Sequence, residues 1–354
     1  MGDIFTYIRK YGDSTFYEKE FNNIDAVILA GIIYINFTNI LESKMNLGEA
    51  LHCFFRDVDK DKFFKEGLVQ KDLYNLAKCI KDKIRYRDIM LDDFVYDVTD
   101  EKQFSAITYV LPNKIKVIAY EGTDGGLVGW YEDFMMVYKY PVLADIDASK
   151  YLKKHIGLFD KEVYVVGHSK GGHLAISAAS ELGFFKRRKL TKVYNFDGPG
   201  FREKEANSKK FKRIYPKVSY IVPNYSVVGM LMNHPANIRV IKATRVDLYA
   251  HSMFNWVVMK DDFVDEKLSS VSKKLDDSID LWLKNINDAD REKIVLDIFD
   301  FLNSNGIKCL DDLLKIKSLY SLYKKRAEID DYTRDVMNNF FKFNIAYQFK
   351  KDGK

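Results

Sequence analysis

Gly167-His168-Ser169-Lys170-Gly171 is the stretch of this chain whose residue types and spacing point most directly to chemistry. The apolar run Val163-Tyr164-Val165-Val166 precedes it and an apolar, helix-like run at 174–182 follows it. Gly-x-Ser-x-Gly between a strand and a helix is the context of a nucleophile elbow. So sharp a turn holds its central serine in a strained backbone conformation. Glycine at 167 and 171 removes side chains that would collide across the turn. Ser169 then stands at the tip, and the N-terminal amides of the next helix face any anion formed there. The Lys170 amide is a natural oxyanion donor.

A serine hydroxyl at its ordinary pKa needs a base, and the base needs an orienting group. In this architecture both lie downstream, in the order serine, acid, histidine. Three histidines follow the elbow: His173, His234 and His251. His173 is one helical turn beyond Ser169 and reads as a packing residue. His234 and His251 both fall in loops. His251 is favoured because Tyr249-Ala250-His251-Ser252 follows the last strand-like run, where a returning loop reaches the elbow. Asp197 ends the strand after the elbow, in Tyr194-Asn195-Phe196-Asp197-Gly198-Pro199-Gly200. A carboxylate at that end of a parallel strand faces the binding edge of the sheet. A turn or capping aspartate is the competing reading of Asp197, and Asp247 is the second candidate for the acid. A second oxyanion donor is expected in Glu121-Gly122-Thr123-Asp124-Gly125-Gly126, from the amide of Thr123 or Asp124, with the Thr123 hydroxyl beside it. No Gly-x-x-x-x-Gly-Lys-Ser/Thr occurs there, which sets aside a phosphate loop.

These residues need a scaffold. Residues 104–111 and 115–120 are β-branched and aromatic runs joined by Pro112-Asn113-Lys114, which predicts a hairpin. Beyond it, apolar strands at 163–166, 192–196, 218–222 and 238–241 are separated by helix-length segments, including a helix over 142–156. That alternation predicts a mostly parallel sheet covered on both faces. Residues 1–90 read as a helical layer, 91–262 as the α/β core and 263–354 as a charged helical extension with helices over 268–283, 289–302 and 310–349.

Two of these segments together resemble the class 3 (fungal-type) lipases of the α/β-hydrolase fold: Gly122-Thr123-Asp124 with Trp130 and Asp133 after it, and Gly167-His168-Ser169-Lys170-Gly171-Gly172. The chain is more similar still to an uncharacterised bacterial family of lipase-like hydrolases, through 121–134, 163–175, 193–201, 226–231 and 251–256, a span of about residues 20–260. The resemblance implies a serine hydrolase acting on acyl esters, with Ser169 as nucleophile. Two departures stand out. Class 3 lipases usually carry Arg before the Gly-Thr pair, where this chain has Glu121. Their acid follows a later strand, near Ser226 here, and Asn224-Tyr225-Ser226-Val227-Val228 holds no carboxylate. Either Asp197 takes that role from the preceding strand or the triad is incomplete.

The expected reaction is ester hydrolysis by Ser169, His251 and Asp197 through an acyl-enzyme, with the Lys170 and Thr123 amides holding the oxyanion. Trp130, Tyr131, Phe134 and Phe254 are candidates to line an acyl pocket. The alternative is a lipase-like fold kept as a weakly active or inactive binding module. No cofactor or metal is expected: Cys53, Cys79 and Cys309 are widely spaced and form no ligand pattern. Unpaired cysteines fit a reducing, cytoplasmic location. The longest apolar run, at 26–35, is too short to cross a bilayer. A net charge of +5, evenly spread, gives no argument for nucleic acid. The expected partner is a small-molecule or lipid ester, with peripheral membrane contact suggested by Phe340-Phe341-Lys342-Phe343.

Overall fold

A computed structural model describes residues 1–64, 69–123, 126–235 and 237–307. Asp124, Gly125, Cys309, the helix expected over 310–349 and the Phe340-Phe341-Lys342-Phe343 segment lie outside the described residues.

The N-terminal layer contains α1 (Ile4–Tyr11), α2 (Asn23–Ile32), β1 (Met45–Asn46), α3 (Leu47–Asp57), α4 (Lys60–Phe63), α5 (Gln70–Ile80) and α6 (Ile84–Arg87). Helix α2 starts at a capping box: Asn22 accepts from the amides of Ile24 and Asp25, and the Asp25 side chain accepts from the Asn22 amide. Strands β2 (Met90–Val98), β3 (Gln103–Val110) and β4 (Lys116–Tyr120) form an antiparallel meander. Helices α7 (Leu127–Met135) and α8 (Leu143–His155) then lead to β5 (Val163–His168). Helices α9 (Lys170–Ser180) and α10 (Phe184–Lys189) lead to β6 (Leu190–Phe196). Helices α11 (Glu203–Ala206) and α12 (Lys209–Ile214) lead to β7 (Val218–Pro223). β8 (Ile238–Ile241), the short hairpin β9 (Val258–Met259) and β10 (Asp262–Phe263), α13 (Ser270–Lys284) and α14 (Asp288–Ser304) complete the described chain.

The main sheet runs β1 to β8 in chain order, with β4 to β8 parallel. Side chains alternate between its faces, as the period of two requires. Val117 and Ala119 pack with α2 and the N-terminal helices, whereas Ile118 and Tyr120 pack with α8 and α9. The α/β expectation therefore holds, with one refinement. Both faces are covered, but by different parts of the chain: the crossover helices α8, α9 and α12 share one face, and the N-terminal layer covers the other. Crossovers of one hand between strands that always advance in the same direction must return on the same side. Among the described residues, no helix is long and apolar enough to cross a membrane. Helix α14 buries Val295 and Phe299 in the core built on α8 and α9, with Phe299 against Tyr131 and Phe134 of α7 (ring centroids 5.2 and 5.5 Å).

Candidate active site

Strand β5 ends at His168, and the chain turns into α9 through Ser169 at φ +56° and ψ −134°. This is a sparsely populated conformation for any residue with a Cβ. The Ser169 amide donates to Phe196 O across to β6 (3.0 Å), and the Ser169 carbonyl accepts from Gly172 N (2.9 Å). A Cβ on Gly167 would lie 2.0 Å from Gly171 O, and one on Gly171 would lie 2.1 Å from Tyr120 O. Neither position admits a side chain without moving the strands.

Asp197 stands at the end of the neighbouring strand β6, also at positive φ (+53°) and fully buried. Its Oδ2 accepts from His251 Nδ1 at 2.7 Å. Its Oδ1 accepts from Ser226 Oγ at 2.5 Å. A Cβ on Gly229 would sit 2.3 Å from Oδ1, so glycine there is what lets the loop close over the carboxylate. Burial pushes the Asp197 carboxyl above its ordinary range, and the bonds from His251, Ser226 and the Gly229 amide oppose that shift. Donation from His251 Nδ1 leaves Nε2 of the neutral ring as a base.

His251 belongs to a 3₁₀ turn, Leu248–His251, fixed from two sides. Trp256 Nε1 donates to Ala250 O (2.8 Å), and His168 Nε2 donates to His251 O (2.8 Å). The His168 and His251 rings lie 4.5 Å apart. Because His168 donates from Nε2, its Nδ1 accepts, and Tyr34 OH donates to it at 3.2 Å. Burial lowers the His168 pKa to about 3, so this ring stays neutral. The residue before Ser169 thus braces the turn that carries His251.

The remaining candidates are placed elsewhere. Asp247 accepts from Tyr249 N (3.0 Å), capping that 3₁₀ turn, and pairs with Arg245 (2.5 Å). His234 stands against the Tyr220 ring (5.7 Å). His173 is buried and stacks on Phe201 (4.1 Å), and its Nδ1 donates to Gly200 O (2.8 Å), steadying the loop after Asp197.

The loop after β4 approaches Ser169: a Cβ on Gly122 would lie 3.0 Å from Ser169 Cβ. Thr123 Oγ1 donates to Asp133 Oδ2 at 2.5 Å. Lys170 contributes more than its amide. Its buried ammonium pairs with buried Glu132 (2.9 Å) and donates to Gln103 O (2.9 Å) and Oε1 (3.1 Å). Gln103 Nε2 donates in turn to Gly122 O (3.1 Å). The side chain after Ser169 is therefore wired to the loop opposite it. The amide of Lys170, as the first residue of α9, has no intrahelical acceptor. Of the aromatic residues considered for an acyl pocket, Tyr131 and Phe134 face Phe299, while Phe254 stacks on Phe5 (6.0 Å) within the N-terminal layer.

Sequence reasoning did not single out Gln103, Glu132, Tyr34, or the bonding role of His168 and Ser226. The only signal for Ser226 was its place where an acid was missing.

Burial raises the Asp133 carboxyl to about 6, with Lys170 and Thr123 opposing. For an acid with a raised folded-state pKa, the stabilising contribution is present at low pH and is lost as pH rises through that value. Asp133→Asn removes this dependence. The melting temperature of the native chain is expected to fall relative to Asp133→Asn as pH rises from about 4 to 7. Parallel thermal melts check this, and a constant difference across that range would contradict it.

A strand-elbow-helix with a serine at its tip, and on the adjacent strand's end a carboxylate bonded to a distant imidazole, stand in a lipase-like α/β fold. A family model described as Mbeg1-like matches residues 80–300, and the chain belongs to that family. The match starts later than the resemblance read from the sequence and runs on through most of α14. Among solved structures, "Crystal structure of M37 lipase" is similar at 14% identity and a TM-score of 0.38, covering 60% of this chain and 71% of that one. No curated protein matches the chain.

Proposed function

We propose that this protein is a serine hydrolase of lipase or esterase type, with Ser169 as nucleophile, His251 as base and Asp197 as the acid that orients it. The observation that carries the reading is the 2.7 Å bond from His251 Nδ1 to Asp197 Oδ2, made next to a serine held at positive φ. His251 Nε2 takes the Ser169 proton as Oγ attacks the ester carbonyl. The tetrahedral oxyanion is held by the amides of Lys170 and Thr123. The imidazolium returns its proton to the leaving alkoxide, and the Asp197 carboxylate stabilises it without taking the proton. Water, deprotonated by the same ring, then releases the acid. The unusual position of the acid is supported by Ser226: where class 3 lipases place a carboxylate, this chain has a hydroxyl that donates to the Asp197 carboxylate from the loop after the neighbouring strand β7. The free thiols Cys53 and Cys79 support a reducing, cytoplasmic location.

A fluorophosphonate probe tests the nucleophile. Labelling of the folded chain that disappears in Ser169→Ala is expected. A folded chain that takes no label, or label that persists in Ser169→Ala, removes the catalytic reading and leaves a binding module on a lipase-like fold.

A further inference from the structure

At the opposite end of the sheet from Ser169, a loop and the short helix α10 present apolar side chains that the core does not use. Phe159 is 92% exposed and Leu158 is 80% exposed, in the connection from α8 to β5. Phe185 is 81% and Phe184 57% exposed, on α10, which buries none of its residues. The two segments are held together: Lys189 donates to Leu158 O and to Asp160 O (2.9 Å), and Lys186 donates to Lys153 O. Scattered exposed apolar residues are ordinary, but four large ones brought together at one end are not.

Their surroundings are basic. Residues 153–162 and 183–189 carry seven Lys and Arg against two acidic residues, a local +5 that equals the net charge of the whole chain. One of the two acids, Asp160, is already paired with Lys116 (2.8 Å). Arg187 and Arg188 lie over the Phe184 ring at 6.0 and 5.6 Å, so cations and aromatic tips form one surface. Lysine is depleted at protein–protein interfaces, whereas clustered Lys and Arg around protruding aromatic tips fit an anionic headgroup layer above an acyl boundary.

We propose that this end of the molecule docks on an anionic lipid membrane, with Phe159 and Phe185 entering the interface and the surrounding Lys and Arg facing the headgroups. β5 has six residues, so the serine edge is held roughly 20 Å from the docked end. The site then opens away from the bilayer that anchors it, unlike an enzyme that opens onto its own docking surface. This inference does not depend on Ser169 being a nucleophile.

Flotation of the full chain with vesicles tests it. The expected result is binding to phosphatidylcholine vesicles containing about 30% phosphatidylserine, little binding to phosphatidylcholine alone, and loss of binding at about 0.5 M salt. Phe159→Ser with Phe185→Ser, and separately Arg187→Glu with Arg188→Glu, should each weaken binding roughly tenfold or more. Both pairs should melt at the native temperature and, like the native chain, label with the fluorophosphonate probe if the catalytic reading holds. Ser169→Ala should float like the native chain. Failure of the native chain to bind anionic vesicles overturns the proposal. So does undiminished binding in both double variants, which places the contact elsewhere in the chain. Self-association that the Phe159→Ser/Phe185→Ser pair abolishes, without vesicle binding, would assign the patch to a second copy instead.

Discussion

Asp197→Asn is expected to lower kcat/KM on a p-nitrophenyl ester by about 10⁴, and Ser169→Ala by about 10⁶. The first effect follows from the donors around the carboxylate. Ser226 Oγ and the Gly229 amide both donate to Asp197. An asparagine amide will turn its oxygen toward them and its NH₂ toward His251 Nδ1. That nitrogen must then accept, so the ring carries its proton on Nε2 and cannot take one from Ser169. The fold should survive, because the asparagine keeps the shape and the Ser226 bond. Ser169→Ala removes the proposed attacking atom itself. Ester kinetics on the two purified variants, with melting temperatures as the control, check both figures. A loss of less than about tenfold for Asp197→Asn would remove it from the proposed triad.

Arg85→Ala is expected to destabilise the chain by about 3–5 kcal/mol, read from the shift in urea midpoint. Arg85 and Asp25 are both fully buried. The guanidinium donates from Nε to Asp25 Oδ1 (2.8 Å) and from Nη2 to Oδ2 (2.5 Å). It also donates to the carbonyls of Lys19 (2.9 Å) and Glu20 (3.0 Å), and so organises the loop between α1 and α2. Tyr86 OH donates to the same carboxylate at 2.9 Å. Removing the arginine leaves a charged carboxylate and several carbonyls unsatisfied under the layer that covers one face of the sheet. Replacing both partners, as in Asp25→Asn with Arg85→Met, should cost less than the two single changes summed, because the uncompensated charge is gone. A loss below about 1 kcal/mol for Arg85→Ala would show that water reaches Asp25 in its place.

Much of the local frame of the candidate site is legible in the sequence. The strand, the glycines at 167 and 171, and the helix behind them are local features, decided within about ten residues by periodicity and by steric clash. The same holds for Asp197 at a strand end ahead of Gly198-Pro199-Gly200. The hairpin of β3 and β4 and the alternation of strand and helix followed from short-range pattern in the same way. A local pattern, however, ranks candidates without choosing between them. Asp197 and Asp247 were both acidic residues near a chain reversal, and His234 and His251 were both loop histidines.

Tertiary structure gives these candidates different partners. Asp197 and His251 are 54 residues apart in sequence, and they meet because β6 lies beside β5 while the turn at 248–251 folds back over that edge. Asp247 is only four residues from His251, yet it is engaged by Arg245 and by the cap of that turn. The bracing bond from His168, the Ser226 hydroxyl on Asp197 and the wiring from Lys170 through Gln103 to Gly122 all join residues far apart in the chain. Which crossover helices share a face, and that the N-terminal layer closes the other, is likewise set by the order and hand of the strands. Spacing along the chain fixes backbone conformation and hydrophobic period. It does not fix which distant polar groups satisfy one another when buried, because that depends on how the strands align and on what else is packed against them.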